Sequence, residues 1–544
     1  MKRPEEVTLS REEGEALLAR LEANTLTAED RRVLGKVLTF YFWLLFALRE
    51  AKLSLKRLKA LVFGEKSKKR PPPESGGHAG GGGSRGTELQ VREKEAEARK
   101  PAEDRPRRPG HGRQGADVYR DVKRVECRHE ELMVGERCPA CGRGRLYRLP
   151  PGVEMRLDGN ALLSAVRYEL EKLRCSACGQ VFTAALPAEA GAEKYSARAR
   201  AVLALGRYYL GVPLFRLEGY QALVGIPVPD ATQWDQIERV ADCAYPVFKH
   251  LERLAAQGEV IYQDDTAVRI LSLIEENRHT EAPATDAAPS RTGMYTTGLV
   301  VQVGARTICL YYAGRHHAGE NLAALLRQRE PQRDKPLVMS DALASNAAEE
   351  HGLIRCHCLA HGRRKFSELE EVFPVESAVV VEALKEVFEH EADVRARQLG
   401  AEERLAYHQA YSGPIMDDLK VWLEQRSVDR TVEPQSSLGK AIAYLLKHWA
   451  TLTRFLTVPG APLDNNTVER ALKLCIRQRK NSLFYATEHS AYIASLLTSL
   501  IATCVQAGVN VLEYLVGLQD HRPAVCANPG AWLPWTYATA LLPP

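Results

Sequence analysis

Three acidic side chains stand where a strand or helix would present them to a common site. Asp264 and its neighbour Asp265 interrupt the β-rich run VIYQDDTAVRIL. Asp341 ends the short apolar run of PLVMSDA, and Glu469 falls on the first turns of a helix in PLDNNTVERALKLCIRQRKN. Three carboxylates from separate elements are what a pair of Mg²⁺ (or Mn²⁺) ions requires. Hard cations take oxygen ligands, and two ions about 4 Å apart can activate an attacking oxygen and stabilise a leaving one. Arg470, Lys473, Arg477, Arg479 and Lys480 follow on the same helix and would hold phosphates while the acids hold metal. Taken singly, Glu469 also reads as the i→i+4 partner of Lys473, and Asp341 as a strand-end turn residue.

A second chemical set is made of thiols. Cys138 and Cys141 (CPAC) and Cys175 and Cys178 (CSAC) form two pairs, each followed by glycine. Two such knuckles can aim four thiolates at one tetrahedral Zn²⁺, with strands between them forming a ribbon. A closed four-sulfur site leaves no open position, so this zinc would hold a fold and do no chemistry. Reduced thiol pairs or a redox motif are the alternative.

The elements that must position the acids follow from periodicity. From Glu259 the order reads strand, strand, strand, helix, strand, helix, strand. MYTTGLVVQV and RTICLYY make a hairpin at Gly304, and IRCHCLAH is the last strand. That is the ribonuclease H-like order, a mixed sheet with acids at the ends of its first and fourth strands. Those two strands are neighbours, so Asp264 and Asp341 would converge. Strand alternation lets only one of Asp264 and Asp265 face the site and leaves the choice between them open.

The expected fold is multidomain α/β. Residues 1–63 are helical, with Val37, Tyr41, Leu44, Leu48, Ala51, Leu55, Leu58 and Val62 at coiled-coil spacing, a zipper-like oligomerisation region. Residues 64–117, rich in glycine and charge, are expected to be a disordered linker. Residues 118–190 are the zinc ribbon. Residues 191–256 are helical, either a helix-turn-helix presenting Thr232, Gln233, Asp235 and Gln236 to DNA or an ordinary helical hairpin, with Asp230 as an N-cap. The ribonuclease H-like core spans 257–374, an all-helical insertion 375–460, the helix with the third carboxylate 461–516 and a C-terminal region 517–544.

Composition fits this plan and excludes others. Of 544 residues, 45% are hydrophobic and 26% charged, so the chain can bury large cores and is neither wholly disordered nor a disulfide-built scaffold. Lys+Arg 74 against Asp+Glu 69 gives +5, too little by itself to establish a polyanionic partner. The first residues lack the apolar core of a secretory signal, and the longest apolar run, Val37 to Leu48, falls short of the ~20 residues a membrane span needs. No membrane partner and a reducing, cytoplasmic setting are expected.

The motifs together resemble transposases of the insertion-sequence-66 family, a group of bacterial DDE transposases. The resemblance is carried by VPLFRLEGYQALVG, YQDDTAVRIL, MSDALASN, CHCLAHGRRKF, PLDNNTVERALK and RQRKNSLFYATEHSAYIASLLTSLIATC. DNNxxERA followed by RKNSLF is the most specific part. The resemblance implies Asp264, Asp341 and Glu469 as the metal-binding triad, although the family usually has Asp-Glu-Thr where this chain has Asp264-Asp265-Thr266. Cys358 and His361 resemble a Cys-x-x-His element that follows the second acid in several such groups. With Arg364, Asn466 and Arg470 they would support the site, and Arg363 and Lys365 would meet DNA phosphates. A packed sheet edge with a structural histidine is the alternative. The implied partners are double-stranded DNA as terminal inverted repeats and target, further copies of the chain, and accessory proteins of the same element. The implied activity is metal-dependent DNA cleavage and strand transfer. A catalytically silent zinc-ribbon DNA-binding protein, or a nuclease of the same fold, are the rival readings.

Overall fold

The computed structural model describes residues 11–41, 133–137, 139, 141, 143, 145–147, 161–174, 181–279, 292–343, 352–429 and 432–542. The chain divides into two compact units, Lys66–Ala161, and Met1–Glu65 with Leu162–Pro544. In the first unit the Gly135 N–H donates to the Leu146 carbonyl at 2.8 Å and Arg137 bridges antiparallel to Arg145, closing a turn that carries the exposed Cys141. In the second unit, β1 (Lys172–Arg174) and β2 (Val181–Thr183) pair antiparallel. Cys138, Cys175 and Cys178, the 64–117 linker and the zipper positions from Leu44 to Val62 lie outside the described residues. The described part of the N-terminal region is α1 (Arg11–Glu22) and a helical segment over 28–41, joined by a turn in which Arg20 grips Asp30 at 2.9 and 3.1 Å.

The larger unit is mixed α/β and built on one five-stranded sheet. Its strands are β3 (Val260–Ala267), β4 (Tyr295–Val303), β5 (Arg306–Gly314), β6 (Leu337–Ser340) and β7 (Ile354–His357). The spatial order is β5-β4-β3-β6-β7. β3, β4 and β5 are antiparallel neighbours, whereas β6 and β7 run parallel to β3. Gly304, at φ +57°, makes the tight β4–β5 turn, a conformation a side chain would resist.

Helices cover both faces because both faces are apolar. Ile261, Leu299, Val301, Ile308, Leu310 and Val338 pack on one side with helices that include α2 (Ala197–Tyr208) and the long α4 (Asp230–Ala255); α3 (Leu214–Leu223) lies between these two in sequence. The other face presents Tyr262, Val300, Cys309 and Tyr311. After β3 comes α5 (Leu271–His279), and α6 (Ala318–Leu326) links β5 to β6.

Several sequence expectations change here. Asp230 is the first residue of α4, not its cap, which is Pro229. Gln233 and Gln236, assigned to a DNA groove in the helix-turn-helix reading, are buried. Gln233 donates to the Val228 carbonyl at 2.8 Å, and Gln236 accepts from Arg200 at 3.1 Å. They face α2 and the loop that leads into α4. The strand expected through IRCHCLAH stops at His357, and Leu359 opens α7 (Leu359–Ser367).

Residues 374–456 form a helical layer with its own core. Its main members are α8 (Pro374–Ala396), α9 (Ala401–Val428), α10 (Ser437–Lys447) and α11 (Trp449–Leu452). Val380, Leu384, Met416, Leu423, Ile442 and Phe455 pack there with Leu359 and Phe366 of α7. At its centre Glu391 accepts from Arg395 (2.9 Å) and Arg404 (3.0 Å) and meets His408 Nε2 at 3.0 Å. Burial alone would raise the Glu391 carboxyl, but the His408 hydrogen bond and the two arginines hold it down at about 2. A carboxyl with a depressed folded-state pKa stabilises the fold above its unfolded value and loses that contribution as pH falls through its folded value. Glu391→Gln should therefore lower unfolding stability by about 3 kcal/mol at neutral pH. In urea titrations the difference should shrink on acidification from near 4.5 toward 2, and a pH-independent difference would contradict the assignment.

Candidate active site

The site begins with strand register. β3 and β6 pair in parallel as Val260↔Leu337, Ile261↔Val338 and Tyr262↔Met339. Carried two residues further, that register sets Asp264 beside Asp341 on the face shared by Tyr262 and Met339, because side chains alternate along a strand. Asp341 stands just past the end of β6, where the chain leaves the sheet.

Alternation sends Asp265 the opposite way. Its carboxylate accepts from Thr297 Oγ1 at 2.6 Å and from the Ala318 N–H at 2.8 Å, and lies 3.3 Å from His317 Nδ1. Those partners belong to β4 and to the N-terminus of α6, where a negative charge is favoured. Asp265 is thus engaged in joining α6 to the sheet on the far side from Asp341.

The third acid arrives on α12 (Asn466–Ser482), which lies flat on the face that Asp264 shares. Close approach is permitted by Gly298, the β4 partner of Asp264. A Cβ there would stand 2.8 Å from Leu472 Cδ2 and 3.3 Å from Val468 Cγ2. The start of α12 is fastened by the residues before it. Asn465, fully buried, donates from its side chain to the Gln263 carbonyl at 2.9 Å and from its backbone to Cys358 Sγ at 3.2 Å. Asn465 is the N-cap residue, and Asp464 before it accepts from the Asn466 N–H at 3.0 Å. Arg404 of the helical layer donates to the Ala461 carbonyl at 2.6 Å, steadying the approach to this turn.

The electrostatics register the convergence. Burial pushes the Asp264 carboxyl up; the Asp265 N–H offsets part of this, and the charges of Asp341, Glu469 and Asp265 push it further, to about 7. Glu469 Oε1 also lies 3.8 Å from His361 Nε2, and ligand atoms of Cys358, His361 and Glu469 fall within 4.8 Å of one another. Cys358 is buried, and burial raises its thiol to about 11. Carboxylates gathered on one face of the sheet fit a hard divalent cation, which takes oxygen ligands.

The cations divide into two groups. Arg364, Lys365, Arg470, Lys473 and Lys480 are exposed, Lys365 lying over the Tyr444 ring at 4.3 Å. Arg477 and Arg479, expected to meet DNA, have protein partners. Arg477 donates to the Tyr209 carbonyl at 2.6 Å, and Arg479 to Thr266 Oγ1 at 2.9 Å and to the Ala267 carbonyl, tying α12 to β3. Arg363 is half-buried, and its Nε has no hydrogen-bond partner among the described residues. Gly298, Asn465 and Arg404 escaped the sequence reading. A glycine inside the strand pattern YTTGLVVQV is a signal for close backbone approach; Arg404 left none.

A carboxyl with a raised folded-state pKa stabilises the fold below its unfolded value, 3.8, and loses that contribution as pH rises through 7. Without divalent metal, Asp264→Asn should raise the Tm at pH 8 by about 2–4 °C and change it little at pH 4. A Tm that falls at pH 8 would contradict the buried, mutually repelling acids. Gly298→Val should lower stability by about 1–3 kcal/mol by forcing α12 off the sheet, and Leu472→Ala should recover part of that loss in a double-mutant cycle.

A model described as the Transposase IS66 family matches residues 193–492, which contain β3 to β7, the helical layer, α12 and all three acids. Two curated proteins of Sinorhizobium fredii (strain NBRC 101917 / NGR234), both described as uncharacterized, are similar over most of their length. One, y4hP, is 25% identical over 440 residues, 74% of this chain and 74% of its own. Another, y4jD, is 27% identical over 404 residues, 71% of this chain and 74% of its own. With the family match spanning more than half of its length, this chain belongs to the IS66 family of transposases.

Proposed function

We propose that the protein is a DDE transposase that binds the terminal inverted repeats of an insertion sequence and cuts and joins double-stranded DNA. Asp264, Asp341 and Glu469 are its metal-binding triad. The observation that carries this reading is the β3–β6 register, which sets Asp264 beside Asp341, with α12 and its first-turn Glu469 seated on the same face of the sheet. The strand order β5-β4-β3-β6-β7, with three antiparallel strands followed by two parallel ones, supports a ribonuclease H-like core. Asp264 is favoured over Asp265 because Asp265 is already saturated by Thr297, His317 and the start of α6.

In this mechanism the triad would hold Mg²⁺ or Mn²⁺, which when bound supplies Lewis-acid polarisation of the scissile phosphate and of the attacking oxygen. The protein's own part is positioning. Asp264, whose carboxyl burial and neighbouring acids push up to about 7, would have to be deprotonated to serve as a ligand. His361, beside Glu469, orients that carboxylate. Arg364, Arg470, Lys473 and Lys480 fix the DNA backbone as point charges and forks. No covalent enzyme intermediate is needed; water and then the freed 3′-hydroxyl are held in line. The Cys138, Cys141, Cys175 and Cys178 set would hold a structural Zn²⁺ in an end-recognition ribbon. Self-association and accessory proteins complete the proposed assembly.

The test uses duplexes carrying the repeats that flank the gene, intact or pre-cut, with Mg²⁺ or Mn²⁺. Asp341→Asn and Glu469→Gln should each reduce cutting and joining by roughly 10³-fold or more, the size expected when several kcal/mol of charge stabilisation is removed. Repeat binding should persist. Retained cutting by either variant would refute the triad. Cutting of intact duplexes without joining of pre-cut ends would favour a nuclease.

A further inference from the structure

We propose that Leu483 and Phe484 form an apolar wedge that presses into the base stack of bound duplex DNA, about six base pairs from the phosphate cut at the triad. The inference rests on the DNA-cutting reading and goes beyond it by assigning residues that would contact bases.

Leu483 follows the last residue of α12 and adopts φ +69°, ψ −39°. A residue with a Cβ resists positive φ, and glycine is the usual occupant just past a helix. Strain of this kind persists where surrounding structure enforces it, and it gathers at functional positions. The apolar side chains at this cap also fail to pack: Leu483 is 61% and Phe484 43% exposed.

The backbone around the tip is held on both sides. The Leu483 N–H donates to the Arg479 carbonyl at 2.8 Å. Tyr485 bonds to the Arg269 carbonyl at 2.9 Å and receives Leu271 N–H at 2.9 Å, and Ser272 N–H reaches Ala486 at 3.1 Å. The Tyr485 ring is buried, which pushes its hydroxyl well above the usual range. Two apolar side chains are therefore presented to solvent on a fixed backbone, so little ordering cost is left for binding.

The neighbouring charge selects the partner. Glu469, Lys473 and Lys480 recur at i, i+4 and i+11, one face of the helix that Leu483 ends, and Lys473 and Lys480 are exposed. A line of cations running from a carboxylate site to an apolar tip matches duplex DNA, anionic outside and apolar in its stack. Fourteen helical residues span roughly 21 Å. At about 3.4 Å per base pair, that reaches some six pairs from the triad. Apolar side chains inserted at a base step unstack it and kink the duplex.

The experiment places 2-aminopurine in turn at each position of a duplex carrying the flanking terminal repeat and follows its fluorescence on binding the full chain. The wild type should brighten one position about six pairs from the cut. Leu483→Gly, which relieves the φ strain and should keep the Tm, and Phe484→Ala should lose the signal, with the pair weakening binding roughly 10- to 100-fold. Binding without brightening at any position, or brightening and affinity unchanged in the variants, would overturn the wedge and leave the DNA-cutting reading standing. A wild type that does not bind the repeat would overturn both.

Discussion

The contact on which the rest depends is the close seating of α12 on β3 and β4. Glu469 shares the face of Asp264 only because this helix lies nearly on the sheet, and the backbone at Gly298 makes room for Leu472 and Val468. Packing, not attraction between the acids, brings the three together. Burial, and then the neighbouring negative charges, push the Asp264 carboxyl up. A fold that holds like charges together has stored a preference for whatever cation relieves them.

Much of the surrounding structure serves to keep that helix in place. Asn465 ties its start to β3 and to the cysteine before α7, Arg404 fixes the turn leading into it, and Arg479 ties its last turns to Thr266. The helical layer is thus more than a cover. Glu391 holds Arg404, and Arg404 holds the Ala461 carbonyl, a short polar path from a separate core to the segment before α12. Such hydrogen-bonded charges give little net stability compared with an apolar core, but they fix geometry, since breaking one partner strands the others.

The sheet has an exposed edge to manage as well, and it does so with side chains. Along α13 (Glu488–Gln506), Ser495, Ser499 and Thr503 recur every four residues and accept the outward N–H groups of Ala313, Tyr311 and Cys309 at 3.0, 2.8 and 3.1 Å. A hydroxyl ladder takes the place of a sixth strand and blunts an edge that would otherwise template further pairing.

The sequence by itself determined most of the sheet elements and the family. A β-rich run interrupted by two acids marked β3, a short apolar run ending in Asp341 marked β6, the glycine at 304 marked the hairpin, and the DNNxxER motif marked the helix that carries Glu469. It also supplied the family, because those residues are local and their spacing survives without the fold. Only the tertiary structure decided orientation. Gln233 and Gln236 looked like groove readers because an amphipathic helix does not announce which partner covers which face, and the core of α4 took them. Arg477 and Arg479 looked like phosphate ligands because a cation in sequence has no address; Tyr209, Thr266 and Ala267 claimed them across more than two hundred residues. The choice between Asp264 and Asp265 needed the helix that begins at Ala318, since strand alternation separates the two faces but cannot say which one meets Asp341.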